Sequence, residues 1–148
     1  PDVMTLAKGI AGGLPMGAMM AAESVSDVFQ KGDHASTFGG GPLVSAAALA
    51  SIGAIKSEKL VERSEKMGAY LRSRLSEEID ALDVRGLGLM VGVELAANCP
   101  EIVNQARERG VLLNATSDHV LRMVPPLVVG TEEIDRVVKV LAEILEES

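Results

Sequence analysis

Aromatic side chains are nearly missing from this chain. Phe29, Phe38 and Tyr70 make up 2% of the 148 residues, and there is no tryptophan. Nucleic-acid sites that stack bases need several such rings, so that class is excluded. Basic charge is also scarce: 14 Lys and Arg stand against 21 Asp and Glu, for a net charge of −7. Phosphate-backbone binding needs the opposite balance, and no basic patch offers itself to anionic lipid. The single cysteine, Cys99, rules out an internal disulfide and points to a reducing, cytoplasmic compartment. With only His34 and His119 beside it, no metal-ligand spacing arises. Every apolar run is broken by charge, Gly or Pro before the roughly 18 residues that a spanning helix needs. The first residues show no basic region followed by an apolar core and cleavage site, so no signal peptide is expected.

What is present is an apolar, Gly- and Ala-rich α/β pattern. Residues 1–8 read as a short buried strand and residues 16–22 as a second, joined by Gly12-Gly13-Leu14-Pro15 turn chemistry. Residues 24–29 read as a short helix or turn, and residues 30–41 as a polar, glycine-rich loop. Pro42 opens a helix to about Ile55 with no charged face, which predicts burial. Ser57 is expected to cap a second, amphipathic helix to about Leu82. Its stripe is Leu60, Ser64, Met67, Leu71, Leu75 and Ile79. Residues 83–95 read as two strands or one bent strand. Residues 99–109 read as a helix stopped at Gly110, and 111–115 and 120–124 as a hairpin. Thr131 is expected to cap the last helix, with Glu132 and Glu133 favouring its dipole. The predicted organisation is an α/β-layer edge over 1–56, a linking helix over 57–82 and a small α+β unit over 83–148.

Three stretches carry chemistry. In "PDVMTLAKGIAGGLPMGAMMA", Lys8 closes an apolar run, a setting expected to be poorly solvated. Desolvation disfavours an ammonium and favours the amine that condenses with an aldehyde. The plainer reading is a surface lysine past a strand. In "HASTFGGGPL", residues 34–43, the Ser36 and Thr37 hydroxyls and several backbone amides sit before a helix start, either an anion cradle or a surface loop. In "VLRMVPPLVV", residues 120–129, Arg122 interrupts an apolar strand. A buried guanidinium needs a carboxylate, from within the protein or from a ligand.

These three stretches, in this order, resemble the class III (subgroup II) aminotransferases, which depend on pyridoxal phosphate. "GVLLNATSDHVLRMVPPLVV" and "VRGLGLMVGVEL" look most like the branch that handles acetylornithine and succinyldiaminopimelate. The resemblance implies the C-terminal part of a fold type I transferase: the edge of a large-domain sheet, a linking helix and a small α+β domain. It implies that Lys8 binds the cofactor aldehyde, that Thr37, next to Ser36, holds the cofactor phosphate of a neighbouring subunit, and that Arg122 takes a substrate carboxylate. Arg85 is read as structural. The implied parent reaction passes an amino group from acetylornithine or a related ω-amino donor to 2-oxoglutarate, in arginine or lysine biosynthesis, by a homodimer with shared sites. Gly41 stands where the family often has Asn.

In that family the cofactor-ring aspartate, the ring aromatic and a further phosphate loop come before the lysine. None of them is found in this chain; Asp2 belongs to the "PD" before the strand. The chain is therefore expected to be a portion of such an enzyme, with little activity of its own. A related ω-aminotransferase or aminomutase, and a non-catalytic folded module, stay open as alternatives. A nucleotide-binding loop is disfavoured, because the Gly-rich loop lacks the lysine and Ser/Thr order of a P-loop.

Overall fold

Val3–Leu6 (β1) and Ala18–Ala21 (β2) pair antiparallel, with Val3 opposite Ala21 and Leu6 opposite Ala18. The residues between them form a 3-10 turn, Lys8–Ala11, closed by Gly12 at φ 61° and followed by Gly13 at φ 106°. Both glycines occupy left-handed backbone that other residues avoid. A four-residue helix, Glu23–Ser26 (α1), follows β2, and Pro42–Ser57 (α2) packs on the 3-10 turn.

These elements make the first of two units, Pro1–Glu58; the second is Lys59–Ser148, and the computed structural model describes residues 1–147. Only Ala11 and Ala48 are buried in the first unit. This corrects two expectations. The strand read as buried is exposed along its length, and the helix read as buried leaves Leu43 at 75% and Leu49 at 73% exposure. The reason is supply: a two-stranded ribbon and one long helix do not provide enough surface to cover each other's apolar faces. Ser57 ends α2 instead of capping the next helix. Lys59, in left-handed backbone at φ 51°, is the residue before Leu60–Glu78 (α3).

In the second unit, Asp83–Leu87 (β3) and Met90–Glu94 (β4) form a hairpin, Cys99–Glu108 (α4) follows, and Asn114–Ser117 (β5) and Val120–Met123 (β6) form another. Thr131–Glu146 (α5) closes the described chain. The sheet runs β3-β4-β6-β5 and every pair is antiparallel. Alternation puts Val91, Val93, Leu121 and Met123 on the buried face, under Leu71 and Leu75 of α3, Ile102 of α4, and Ile134, Val138, Leu141 and Ile144 of α5. The helix expected to link two domains is thus a layer of the second unit's own core.

Helix and sheet approach closely at Gly68. A Cβ there would overlap the Gly88 carbonyl at the β3–β4 turn. Ser64 Oγ accepts from Leu89 N at 3.2 Å, and Arg72 donates to Gly88 O at 3.2 Å, so α3 grips that turn from three positions. Two boundaries differ from the sequence reading. The β5 strand starts at Asn114, not Val111, because Val111 N donates to Ala106 O at 2.8 Å to finish α4 at the left-handed Gly110. The α5 N-cap is Gly130, and its N–H donates to Glu133 Oε2 at 2.9 Å; Thr131 is the first helical residue.

Candidate functional site

Lys8 stands at the first position of the 3-10 turn with φ 55°, one of two non-glycine residues with positive φ among those described. A left-handed L-residue costs about 1–2 kcal/mol, and such strain collects at functional positions. The Lys8 side chain is exposed and makes no hydrogen bond or ion pair with any described residue. The expected desolvation is therefore not found: β1 is open on both faces, so nothing in the first unit shields the ammonium. Ser51 Oγ of α2 donates to Gly9 O at 3.5 Å, tying the turn to the helix behind it. A Cβ would meet nothing within 4 Å at Gly9 or Gly12, so the surroundings of Lys8 are open.

Ser36 and Thr37 lie in the irregular segment before α2. Ser36 Oγ accepts from Gly39 N at 2.9 Å, and a Cβ at Gly39 would fall 2.7 Å from that oxygen, so this small turn requires glycine. The Ser36 hydroxyl hydrogen stays available. Thr37 is exposed, and no bond engages its hydroxyl among the described residues. Gly40, at φ 67°, leads to Gly41, the α2 N-cap, which offers no side-chain cap. The first amides of a 16-residue helix and two hydroxyls thus share one segment. Phe29 meets His34 edge to face at 5.6 Å between ring centres, anchoring the start of the loop.

Arg122 was expected to be buried; it is exposed, because alternation along β6 sends Leu121 and Met123 inward and Arg122 to the outer face. Its cross-strand neighbours are Gly92 on β4 and Asn114 on β5. No carboxylate pairs with it among the described residues, so an internal salt bridge does not account for it. Arg85, opposite Gly92 on the other side, is spoken for. It bonds Asp83 at 2.6 Å and Glu94 at 2.8 Å, and those two carboxylates, Asp83 foremost, push its pKa up. That supports the reading of Arg85 as structural.

Arg122 borders a cavity of about 710 Å³ shared with Asn114, Pro125, Pro126, Val129 and Glu133. Sequence reasoning missed Asn114 as its cross-strand neighbour and Glu133 as part of the same cavity lining. The signal was available for Asn114, a polar residue inside "VLLNA", once the hairpin register was known. Lys8, Ser36 and Thr37 belong to the first unit and Arg122 to the second. Among the described residues no group of three or more His, Cys, Asp or Glu could hold a metal ion. No helix among them is long and apolar enough to cross a membrane.

The class-III aminotransferase family model matches residues 1–145. Acetylornithine aminotransferase of Methanosarcina mazei is 59% identical over 145 residues, covering 97% of this chain and 36% of the relative. The acetylornithine aminotransferase of Methanothermobacter thermautotrophicus is 49% identical over 149 residues, covering 98% of this chain and 38% of the relative. Among solved structures, the ornithine aminotransferase from Toxoplasma gondii ME49 matches with a TM-score of 0.91 at 35% identity, covering 100% of this chain and 38% of its own. The acetylornithine aminotransferase from Elizabethkingia anophelis gives 0.91 at 32% identity, covering 100% of this chain and 41% of its own. The chain thus spans 36–41% of the length of these relatives. With a family model running from its first residue almost to its last, and relatives this close, the chain belongs to the class-III aminotransferases.

Proposed function

We propose that this chain carries the lysine, phosphate-loop and carboxylate-binding parts of a pyridoxal-phosphate-dependent aminotransferase. The parent reaction moves an amino group from acetylornithine, or a related ω-amino donor, to 2-oxoglutarate. The observation that carries the proposal is Lys8: a primary amine without a partner among the described residues, presented on left-handed backbone, in a chain the family model matches from residue 1. The names of the relatives favour the acetylornithine donor.

The residues present fit the cofactor. An aldehyde needs a free amine, and Lys8 has no competing acceptor among the described residues. A phosphate needs donors, and the Ser36 and Thr37 hydroxyls and the uncapped α2 amides supply them. Bound pyridoxal phosphate would act as an electron sink for charge developing on the substrate carbon. The protein's tasks are separate. Lys8 Nζ would hold the aldehyde end and, once released, would move a proton at the substrate carbon that bears the amino group. Ser36 and Thr37 donate to phosphate oxygens, in the family to those bound by a neighbouring subunit, so a homodimer with shared sites is proposed. Arg122 orients a substrate carboxylate through two parallel N–H donors. The single, buried Cys99 accords with a cytoplasmic setting.

The 148 residues hold no aspartate or aromatic assigned to the cofactor ring, so cofactor capture without sustained turnover is the expected behaviour of this chain. The test is to add pyridoxal phosphate to the purified chain, reduce with borohydride and map the adduct by mass spectrometry. An absorbance band at about 420 nm and a fixed adduct at Lys8 are expected, both lost in Lys8→Ala. Equal labelling of Lys8→Ala would overturn the assignment. Robust transamination by the 148 residues alone would overturn the expectation of no turnover. A second reading, a non-catalytic folded module, is favoured by one observation: nearly all buried residues lie in the second unit. Absence of any specific adduct would leave that reading standing.

A further inference from the structure

Residues 124–130 connect β6 to α5 and wall the cavity beside Arg122. Backbone bonding within this segment is thin. Pro125 and Pro126 have no N–H to donate, and the one internal backbone bond recorded is Val129 N to Pro126 O at 3.0 Å. What holds the segment from outside is a side chain on α3. Arg63 Nη2 donates to Val128 O and to Val129 O, each at 2.9 Å. Arg63 has no ion pair among the described residues, whereas Arg74 on the same helix bonds Glu77, Glu78 and Asp135. The Arg63 guanidinium is thus committed to two consecutive carbonyls immediately before Gly130.

Gly130 in turn donates to Glu133 Oε2, and Glu133 lines the same cavity as Arg122. The cavity wall therefore holds one unpaired cation and one carboxylate that is occupied elsewhere. A segment free to shift would change the shape of the cavity that Arg122 borders.

We propose that Arg63 is a positioning residue for Arg122: by holding the Val128 and Val129 carbonyls it fixes the 124–130 wall and leaves Arg122 open to a substrate carboxylate. This rests on the reading of Arg122 as the carboxylate-binding residue. Arg63 touches neither substrate nor cofactor; it acts through the wall.

The test titrates succinate, as a plain dicarboxylate probe, into the 148-residue chain and follows the Arg122 side-chain Nε–H signal by NMR, with thermal unfolding measured in parallel. In Arg63→Met, succinate affinity at Arg122 is expected to fall about tenfold, the scale of losing charge-assisted bonds. Unfolding is expected to stay close to that of the parent, because Met is as good a helix former as Arg. Arg63→Lys, which keeps donors for both carbonyls, is expected to bind within about twofold of the parent. Should Arg63→Met not fold, Arg63→Gln takes its place with the same expected loss. If succinate does not perturb Arg122 in the parent chain, the carboxylate reading falls and this proposal with it. If the parent binds and Arg63→Met binds equally well, only the positioning role is overturned. Equal loss in Met and Lys variants that both unfold early would show a fold role alone and also overturn it.

Discussion

The two units differ in what they spend their apolar residues on. Of the buried hydrophobic residues only Ala11 and Ala48 belong to Pro1–Glu58; the others lie in the second unit. Yet the first unit holds the exposed lysine and the hydroxyl loop, and it leaves Val3, Met4, Met19, Met20, Leu43 and Leu49 exposed. Two of the three chemistry-bearing stretches, those of Lys8 and of Ser36 and Thr37, lie in the thinly packed unit, and only that of Arg122 lies in the well-packed one. A candidate nucleophile therefore need not sit where the sequence is most stably folded, and burial inferred from an apolar run depends on what else is there to bury it.

The sharpest way to break this contrast is to remove matched leucines. Leu75→Ala, at a fully buried position, is expected to cost the second unit about 3–4 kcal/mol in urea unfolding, while Leu49→Ala costs less than about 0.5 kcal/mol. Comparable losses at both positions would mean that α2 is packed after all. Next in size is a chemical probe. Burial foremost, with the Asp118 carboxylate second, pushes the Cys99 thiol up, so at pH 8 it is protonated as well as inaccessible. Alkylation is expected to track unfolding of the second unit, slowing by orders of magnitude relative to the urea-unfolded chain. Rapid labelling in the folded state would place the core boundary elsewhere.

Acid offers a smaller handle. Asp135 accepts from Tyr70 Oη at 2.8 Å and from Arg74 Nε at 3.0 Å, and these, Tyr70 first, hold its pKa below the ordinary 3.8. A carboxyl lowered by folding stabilises the fold above its unfolded value and loses that contribution as pH falls through the folded one. The second unit's melting temperature should therefore fall below about pH 4, and Asp135→Asn should flatten that slope without altering the first unit. The smallest effect belongs to the first unit. A Cβ at Gly41 would meet only Phe38 O, at an ordinary 3.6 Å. Gly41→Asn is expected to gain a few tenths of a kcal/mol by capping α2, read as slower amide exchange in its first turn.

Much of the second unit could be read in advance, because periodicity reports burial faithfully when the partners lie nearby in the chain. Leu60, Leu71, Leu75 and Ile79 lie on the predicted stripe and are all buried. The first unit was misread for the complementary reason: an uncharged helix and an apolar strand look buried whether or not their covering surface is present. Boundaries slipped where a backbone bond decided them, as at Val111 and Gly130. At the candidate site, residue type and the family resemblance single out Lys8, Ser36, Thr37 and Arg122 as candidates, but their surroundings were not legible. The exposure of Lys8 and Arg122 depends on open faces, and Arg63 reaches carbonyls 65 and 66 residues away.

Gly68 has one more consequence. The overlap a Cβ would make with the Gly88 carbonyl leaves a gap one atom wide on α3, and the β3–β4 turn fits into it. Sliding the helix by one turn, about 5.4 Å, would bring Ser64 or Leu71 and Arg72 to that spot, and none of them leaves the room. A missing methyl thus acts as a keyway, fixing where along its length the helix meets the sheet. Through Arg63 on the same helix, it also sets where the wall beside Arg122 is held.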